Sequence, residues 1–383
     1  MNQPIERPKR HIMLAAITLP AVLAYLLSVA SWYFSPAISS VLAIASMWFP
    51  YAWIIIIVLY RLWLKSHKVL AYFLLAIVLA GVQPAAVTFS VGWQKEIPEK
   101  KPNHALRIMQ WNSTDLPGYD VGWPENKLLT NRKIAVDFLQ RYQPDILCIQ
   151  DFADVVDRRM YSNIALLTDT LGYHFSHLAR FGFTIKPYGK VSSYLGIFSR
   201  QPPVNKGIHW YSNTEFPEAI VWADFLLNGR LVRVVSTHFQ SMHLFSQVHF
   251  AGQPLPYWQK PDSAYIMSSN ILLKLTYFQH QHLLQAKELR SFLDSSSVPV
   301  VFAADLNTVP ANYIYRLVKG NLNDGFIGSK TGLGATYNYL APNLRIDYLF
   351  NDKQLTPKVW KHFKEGFLDH DHLMADFQWA QND

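Results

Sequence analysis

The chain has 383 residues, 50% of them hydrophobic, a single cysteine and a formal net charge of +8. One cysteine excludes an internal disulfide and any cysteine-based metal site. Residues 1–92 carry six Lys and Arg against one Glu, so the remainder, at +3, is nearly balanced and the charge alone gives no argument for a polyanion partner.

From His11 to Tyr60 there is no Asp, Glu, Lys or Arg, and a second uncharged stretch runs from Val69 to Gln94. A membrane span needs about 20 apolar residues, so these lengths predict three transmembrane helices near Ile12–Phe34, Ala37–Tyr60 and Val69–Gly92. Pro20, Pro50 and Pro84 fall inside them, which lipid-embedded helices tolerate. Arg7, Lys9 and Arg10 precede the first span, and Arg61, Lys65 and Lys68 lie between the second and third. The positive-inside rule then makes the N-terminus cytoplasmic and puts everything after Gly92 on the far side of the cell membrane, periplasmic or extracellular. Residues 1–94 read as a membrane anchor, 95–104 as a charged, Pro-bearing spacer and 105–383 as one domain.

That domain opens with Leu106–Asn112, an alternating strand ending in an amide. Thr130-Asn131 caps a helix carrying Ile134, Ala135, Phe138, Leu139 and Tyr142 on one side. Pro144 to Asp151 is a strand with a carboxylate at its exit, and the lone Cys148 among Ile146, Leu147 and Ile149 reads as a small buried hydrophobe. A helix is expected from Met160 to Leu171, then strands around Tyr173–Leu178, Val191–Ser199 and Ala219–Leu227. Asn228-Gly229 signals a hairpin, and its return strand ends in His238. An aromatic insertion with His243, His249, Tyr257 and Trp258 occupies Gln240 to Asn270, followed by a helix near Ile271–Leu293. Val300–Asp305 is a short buried strand that delivers Asp305 and Asn307 to its rim. Tyr313–Val318 reads as a short helix, Leu344–Phe350 as a strand with Asp347 projecting from it, and Asp371-His372 opens the last strand.

Each of these polar endings has a plain reading by itself, since carboxylates cap turns. Together they match metal-assisted phosphoester hydrolysis, which needs an activated water, neutralised phosphoryl oxygens and protonation of the leaving oxygen. Asn112, Asp151 and Asp371 suit a hard cation such as Mg²⁺, which takes oxygen ligands. Asp347 with His372 is the candidate dyad, His372 taking the proton from water. His238 would stabilise the phosphoryl oxygens or protonate the leaving oxygen.

The order Trp111-Asn112, Gln150-Asp151, Ser236-Thr237-His238, Ala304-Asp305-Leu306-Asn307, Arg345-Ile346-Asp347-Tyr348 and Asp371-His372 resembles the endonuclease/exonuclease/phosphatase superfamily over Leu106 to Trp379. The resemblance implies an α/β fold, a four-layer α/β/β/α sandwich of two mixed sheets, here preceded by the three transmembrane helices. It implies dependence on Mg²⁺, with Mn²⁺ as an alternative. It makes Asn112 and Asp151 metal-site residues, Asp305 and Asn307 the pair that positions nucleophile and phosphate, Asp347 and His372 the dyad, and Asp371 a further metal contact. The anchor, with Pro310 through Tyr315 after the Asp-x-Asn, resembles a bacterial membrane-anchored branch.

Two departures stand out. Gln150-Asp151 replaces the family's Gln-Glu and shortens that ligand arm by one methylene. The strand Val191–Ser199 offers Ser192, Ser193 and Tyr194 where a carboxylate would pair with the first histidine, so His238 is expected to be less basic. The reading is a membrane-anchored phosphodiesterase or nuclease acting on nucleic acid outside the cytoplasm. A lipid head-group phosphodiesterase or a phosphatase is the alternative, and a binding protein on a degenerate hydrolase fold remains open. No protein partner is readable.

Overall fold

The structure is a computed structural model that describes residues 6–114, 125–157, 159–186, 189–212, 217–242, 271–338, 341–364, 366 and 368–380. Most of the aromatic insertion, from His243 to Asn270, therefore lies outside the described residues. The chain forms two compact units. Described residues 6–89, 271–283 and 309–316 make the first, and 90–242, 284–308 and 317–380 the second.

The first unit is helical: α1 (Glu6–Tyr33), α2 (Ser40–Ala45), α3 (Phe49–Leu64), α4 (Lys68–Ala80) and α5 (Val82–Thr88). Two helical stretches, His11–Tyr33 and Ser46–Leu64, are long and apolar enough to cross a membrane. A third span results if α4 and α5, bent by 57° at Gly81, count as one. At the bend a close approach requires the glycine: a Cβ at Gly81 would lie 2.0 Å from the Tyr25 hydroxyl, which donates to the Val78 carbonyl at 3.1 Å. The second helix starts later than Ala37 because a 3-10 turn, Ser46–Trp48, intervenes and Pro50 stands in the first turn of α3. Tyr25, Val29, Phe49, Ile56, Leu74 and Ala311 share the core of this unit.

The second unit contains β1 (Leu106–Asn112), α6 (Glu125–Tyr142), β2 (Ile146–Val155), α7 (Asn163–Ala165), β3 (Phe175–Lys186), β4 (Gly189–Ser199), β5 (Asn205–Trp210), β6 (Ala219–Leu227) and β7 (Arg230–His238). It continues with α8 (Ile271–Asp294, from residue 284), β8 (Val300–Asp305), α9 (Tyr313–Lys319, from residue 317), β9 (Asn323–Asp324), β10 (Asp347–Asn351), β11 (Leu355–Phe363) and β12 (His372–Trp379). The expected helix over Met160–Leu171 is broken into a 3-10 turn, the single turn α7 and a wider π turn.

The strands form two six-stranded mixed sheets, ordered β11-β12-β1-β2-β4-β3 and β5-β6-β7-β8-β10-β9. Alternation along each strand serves two layers. Ile108, Ile146, Cys148, Val234, Val301 and Leu373 fill the space between the sheets. Met109, Trp111, Leu147, Ile149 and Met374 turn outward onto Phe138 and Leu139 of α6. On the opposite face Phe292 of α8 meets the rings of His209 and Trp222. The result is the α/β/β/α sandwich expected.

Arg107 of β1 is fully buried and forms a double ion pair with Asp376 of β12, at 2.6 and 2.8 Å. Its other donors reach the carbonyls of Pro98, Glu99 and Tyr142. A buried guanidinium is tolerated because its donors are met in this way, and it ties residues 98–99 to the sheet.

Candidate active site

Strand register assembles the site. In the second sheet His238 pairs with Asp305 across the parallel β7–β8 ladder, and Asp305 with Asp347 across the antiparallel β8–β10 ladder. Three polar side chains thus stand in one row at the sheet's end. From the first sheet, β1 brings Asn112, whose Nδ2 donates to Asp305 Oδ2 at 2.9 Å and to Asp151 Oδ2 at 3.2 Å. Its Oδ1 accepts from the Thr114 N–H at 3.1 Å.

Two residues reach the site through left-handed backbone. Asp151 has φ of 45° and lies in an irregularity of the β2–β4 ladder between Ile149 and Phe152, a bulge that re-aims one side chain. Asn307 has φ of 46°. Its backbone N–H donates to Asp305 Oδ1 at 2.8 Å, and its Nδ2 donates to the Phe239 carbonyl at 2.9 Å and lies 3.3 Å from His238 Nε2. Asp and Asn are among the side chains that tolerate this conformation.

Two histidines flank Asp305. His238 Nε2 lies 3.8 Å from Asp305 Oδ2 and 3.6 Å from Asp151 Oδ2, while its Nδ1 is 3.1 Å from Glu218 Oε1. On the other side His370 Nδ1 lies 2.9 Å from Asp347 Oδ2 and 3.6 Å from Asp305 Oδ2. Behind them Gln110 Nε2 donates to Asp347 Oδ1 at 2.9 Å and to Gln150 Oε1 at 3.0 Å, and Gln150 donates to Ser236 Oγ at 2.8 Å. These amides link the two sheets and fix the Asp347 carboxylate.

The structure therefore brings Asn112, Asp151, His238, Asp305, Asn307 and Asp347 together and leaves out Asp371 and His372. The partner of Asp347 is His370, not the expected His372. Along β12 even positions face α6 and odd positions face the inter-sheet core. His372 consequently packs on Phe138, Phe363 and Trp111, with ring centroids 4.5, 5.4 and 5.6 Å away. Its Nε2 is buried without a hydrogen-bond partner, and burial pulls its pKa down to about 3. Asp371, expected as a metal contact, is instead held by His362 Nε2 at 2.7 Å and Asn338 Nδ2 at 2.9 Å. His370 precedes the strand, bridges to Tyr337 and swings to the rim.

Glu218 is the second correction. The carboxylate missing from Val191–Ser199 comes from the residue before β6. Counting back from the Asn228-Gly229 turn finds it, because the β6–β7 register pairs Ile220 with Thr237 and so carries Glu218 to the level of Phe239, next to His238.

Buried charge sets the electrostatics. Burial, reinforced by Asp347, pushes the Asp305 carboxyl up to about 7 against the opposing pull of His370 and His238. His370 is raised to about 10: burial works against its charge, but Asp347, Asp305 and Asp369 outweigh it. Likewise His238 is held well above its ordinary value, since Asp151, Glu218 and Asp305 overcome burial. Burial raises Glu218 despite His238.

Ligand atoms of Asp305, Asp347 and His370 lie within 4.8 Å of one another, a group that could hold a metal ion. The donor chemistry fits a hard divalent cation: the carboxylates of Asp305 and Asp347 lie together, Asp151 is joined to Asp305 through the Asn112 amide, and the elevated Asp305 marks excess negative charge that a cation would relieve. The Asp151 side chain is 44% exposed and gives the group an open side.

The model of the Endonuclease/Exonuclease/phosphatase family matches residues 126–370. No curated protein matches the chain. Among solved structures, the catalytic domain of human Nocturnin with bound sulfate is 17% identical over 72% of this chain and 94% of its own, with a TM-score of 0.48. A humanized Danio rerio TDP2 is 14% identical over 72% of this chain and 100% of its own, TM-score 0.48. The Bacteroides thetaiotaomicron mannosyl-6-phosphatase is 15% identical over 72% and 100%, TM-score 0.43.

Proposed function

Because the chain belongs to the endonuclease/exonuclease/phosphatase family, whose members hydrolyse phosphoesters with a divalent metal, we propose that it is a membrane-anchored, Mg²⁺-dependent phosphodiesterase. The observation that carries this reading is Asp305 flanked by two imidazoles, each held by its own carboxylate: His238 by Glu218 and His370 by Asp347.

Hydrolysis forms a P–O bond from water and breaks the ester P–O bond, and the departing oxygen takes up a proton. The buried Asp305 carboxylate, set between the two imidazoles with its proton affinity raised by burial and Asp347, is placed to accept the water's proton. Asp305 takes that role, and Asn307, fixed by the Phe239 carbonyl, positions the phosphoryl group. His370 and His238 are charged at neutral pH. Both place positive charge where the phosphoryl oxygens gain negative charge, and His238, open toward Asp151, donates to the leaving oxygen. When bound, Mg²⁺ would supply charge neutralisation at the phosphoryl oxygens, and Asp151, on the open side of the group, would hold it, its carboxylate fixed by the Asn112 Nδ2–H.

The test uses the full chain in detergent with bis-p-nitrophenyl phosphate, Mg²⁺ or EDTA. Turnover with Mg²⁺ that EDTA abolishes is expected. A folded chain that hydrolyses neither this diester, p-nitrophenyl phosphate, plasmid DNA nor a phospholipid, with Mg²⁺ or Mn²⁺ present, overturns the reading.

A further inference from the structure

The first unit is more than the N-terminal helices: residues 309–316, starting two positions after Asn307, pack within it. Ala311 is buried in its core. Ser31 Oγ donates to the Ala311 carbonyl at 3.0 Å, and Asn312 Nδ2 to Ser46 Oγ at 3.2 Å. The rings of Trp32 and Tyr315 lie 6.4 Å apart, and Arg316 donates to the Tyr33 carbonyl at 3.4 Å. All of these partners stand at one level. Ser31, Trp32 and Tyr33 end the apolar stretch His11–Tyr33, and Ser46 begins the next, Ser46–Leu64.

Chain reach does the rest, whatever the arrangement of the two units. At no more than ~3.6 Å per residue, Asn307 lies within about 7 Å of Val309 and about 14 Å of Ala311. Lipid head groups occupy roughly 5–8 Å on each side of the hydrocarbon core. The Asp305–Asn307 turn is therefore within reach of phosphates in that layer. A loose tether of ten residues would impose no such limit, since extended it spans about 35 Å.

A separate segment points the same way. Just beyond α5, Ser90 exchanges backbone hydrogen bonds with Gly332 at 3.0 Å each, Gly92 N–H donates to Thr331 Oγ1 at 3.0 Å, and Gln94 Nε2 donates to the His362 carbonyl at 3.2 Å. The alternate side chains, Val91 and Trp93, are left 87% and 94% exposed. Apolar and Trp side chains within five residues of a span's end fit the membrane interface.

Resting on the hydrolase reading, we propose that the substrate is a phosphoester of a membrane lipid, cleaved at the bilayer surface. Water adds to the head-group phosphorus, the ester P–O bond breaks, and the released alcohol carries the proton.

The experiment compares matched probes with the full chain in mixed micelles. Phosphatidylglycerol, phosphatidylethanolamine and sphingomyelin are the lipids, glycerophosphoglycerol is the same head-group chemistry without tails, and plasmid DNA and bis-p-nitrophenyl phosphate complete the set. At least one lipid is expected to exceed glycerophosphoglycerol in kcat/KM by on the order of 100-fold, the scale of confinement to a surface. Its rate should also follow mole fraction in the micelle at constant bulk concentration. Turnover of bis-p-nitrophenyl phosphate with no lipid cleaved, or with glycerophosphoglycerol or DNA cleaved as fast as any lipid, overturns the proposal and leaves the hydrolase reading intact. No turnover of any probe overturns the hydrolase reading itself.

Discussion

The sequence Asp369-His370-Asp371-His372 offers two Asp-His pairs two residues apart, and alternation alone assigns both histidines to one face. What separates them is the start of the strand: His370 lies before β12, where the chain bridges to Tyr337, and His372 lies inside it, against α6. That boundary is set by tertiary pairing, which no local pattern reports. The two histidines should respond oppositely to substitution. His370→Asn is expected to lower kcat on bis-p-nitrophenyl phosphate by about 10²–10³-fold, the usual worth of a positive charge held at a developing oxyanion, whereas His372→Phe should keep activity within a few-fold. Equal losses would remove the Asp347–His370 pair from the mechanism. His372 matters instead for acid stability. Its folded pKa of about 3 is depressed from 6.5, so its neutral form contributes no penalty above pH 6.5. As pH falls from 6.5 toward 3 the unfolded chain gains a proton that the folded chain refuses, and stability drops steadily. Melting the full chain in detergent at pH 7 and pH 5 should show a smaller gap for His372→Phe than for the parent chain. An unchanged gap would mean that the histidine is not held neutral.

Whole elements were far more legible than individual partners. Apolar runs mark β1, β6, β7 and β8 within a residue or two, and β2 at its start, though it runs four residues past the expected Asp151, because central strands buried on both faces carry a strong apolar signal. The strands that escape notice are the sheet edges. β5 reads Asn-Lys-Gly-Ile-His-Trp and β11 contains Pro357 with Lys358 and Lys361, the residues that blunt edges and erase periodicity. The Asp151 bulge is also invisible locally, since only the pairing with β4 shows the slipped register. Within the sheets, one contact leaves no room for side-chain growth. A Cβ at Gly196 of β4 would stand 2.3 Å from Leu178 Cδ2 and 2.6 Å from the His177 carbonyl oxygen of β3. The leucine can turn aside, but the carbonyl belongs to the paired strand, so the ladder itself must open. Gly196→Ala should therefore destabilise the second unit by on the order of 1–3 kcal/mol, read as a lower denaturation midpoint in urea. An unchanged midpoint would show that β3 yields at no cost.

For the molecule as a whole, the question is the side of the membrane on which hydrolysis takes place, and crossing parity decides it. Two crossings return the chain to the side of the N-terminus, and three leave it on the other. α4 alone, at 13 residues and ~20 Å, is too short for a hydrocarbon core of about 30 Å. Continuing through the seven residues of α5 brings the pair to about 26 Å along the axis of α4 after the 57° bend, enough for a thinner bilayer. A second argument does not depend on that count. Residues 309–316 pack against Ser31–Tyr33 and Ser46, the ends of the apolar helices opposite to Arg7, Lys9 and Arg10 and to Arg61, Lys65 and Lys68. If the basic ends face the cytoplasm, the segment two residues beyond Asn307 faces away from it, and the catalytic turn must follow. Alkaline phosphatase joined after Asp383 in a bacterial host should therefore be active, and a green fluorescent protein at the same point should be dark. The reverse pattern would put the site in the cytoplasm. It would also mean that basic residues do not set this anchor's orientation, because the packing of Ala311 and Asn312 against the helix ends fixes the catalytic turn to one side.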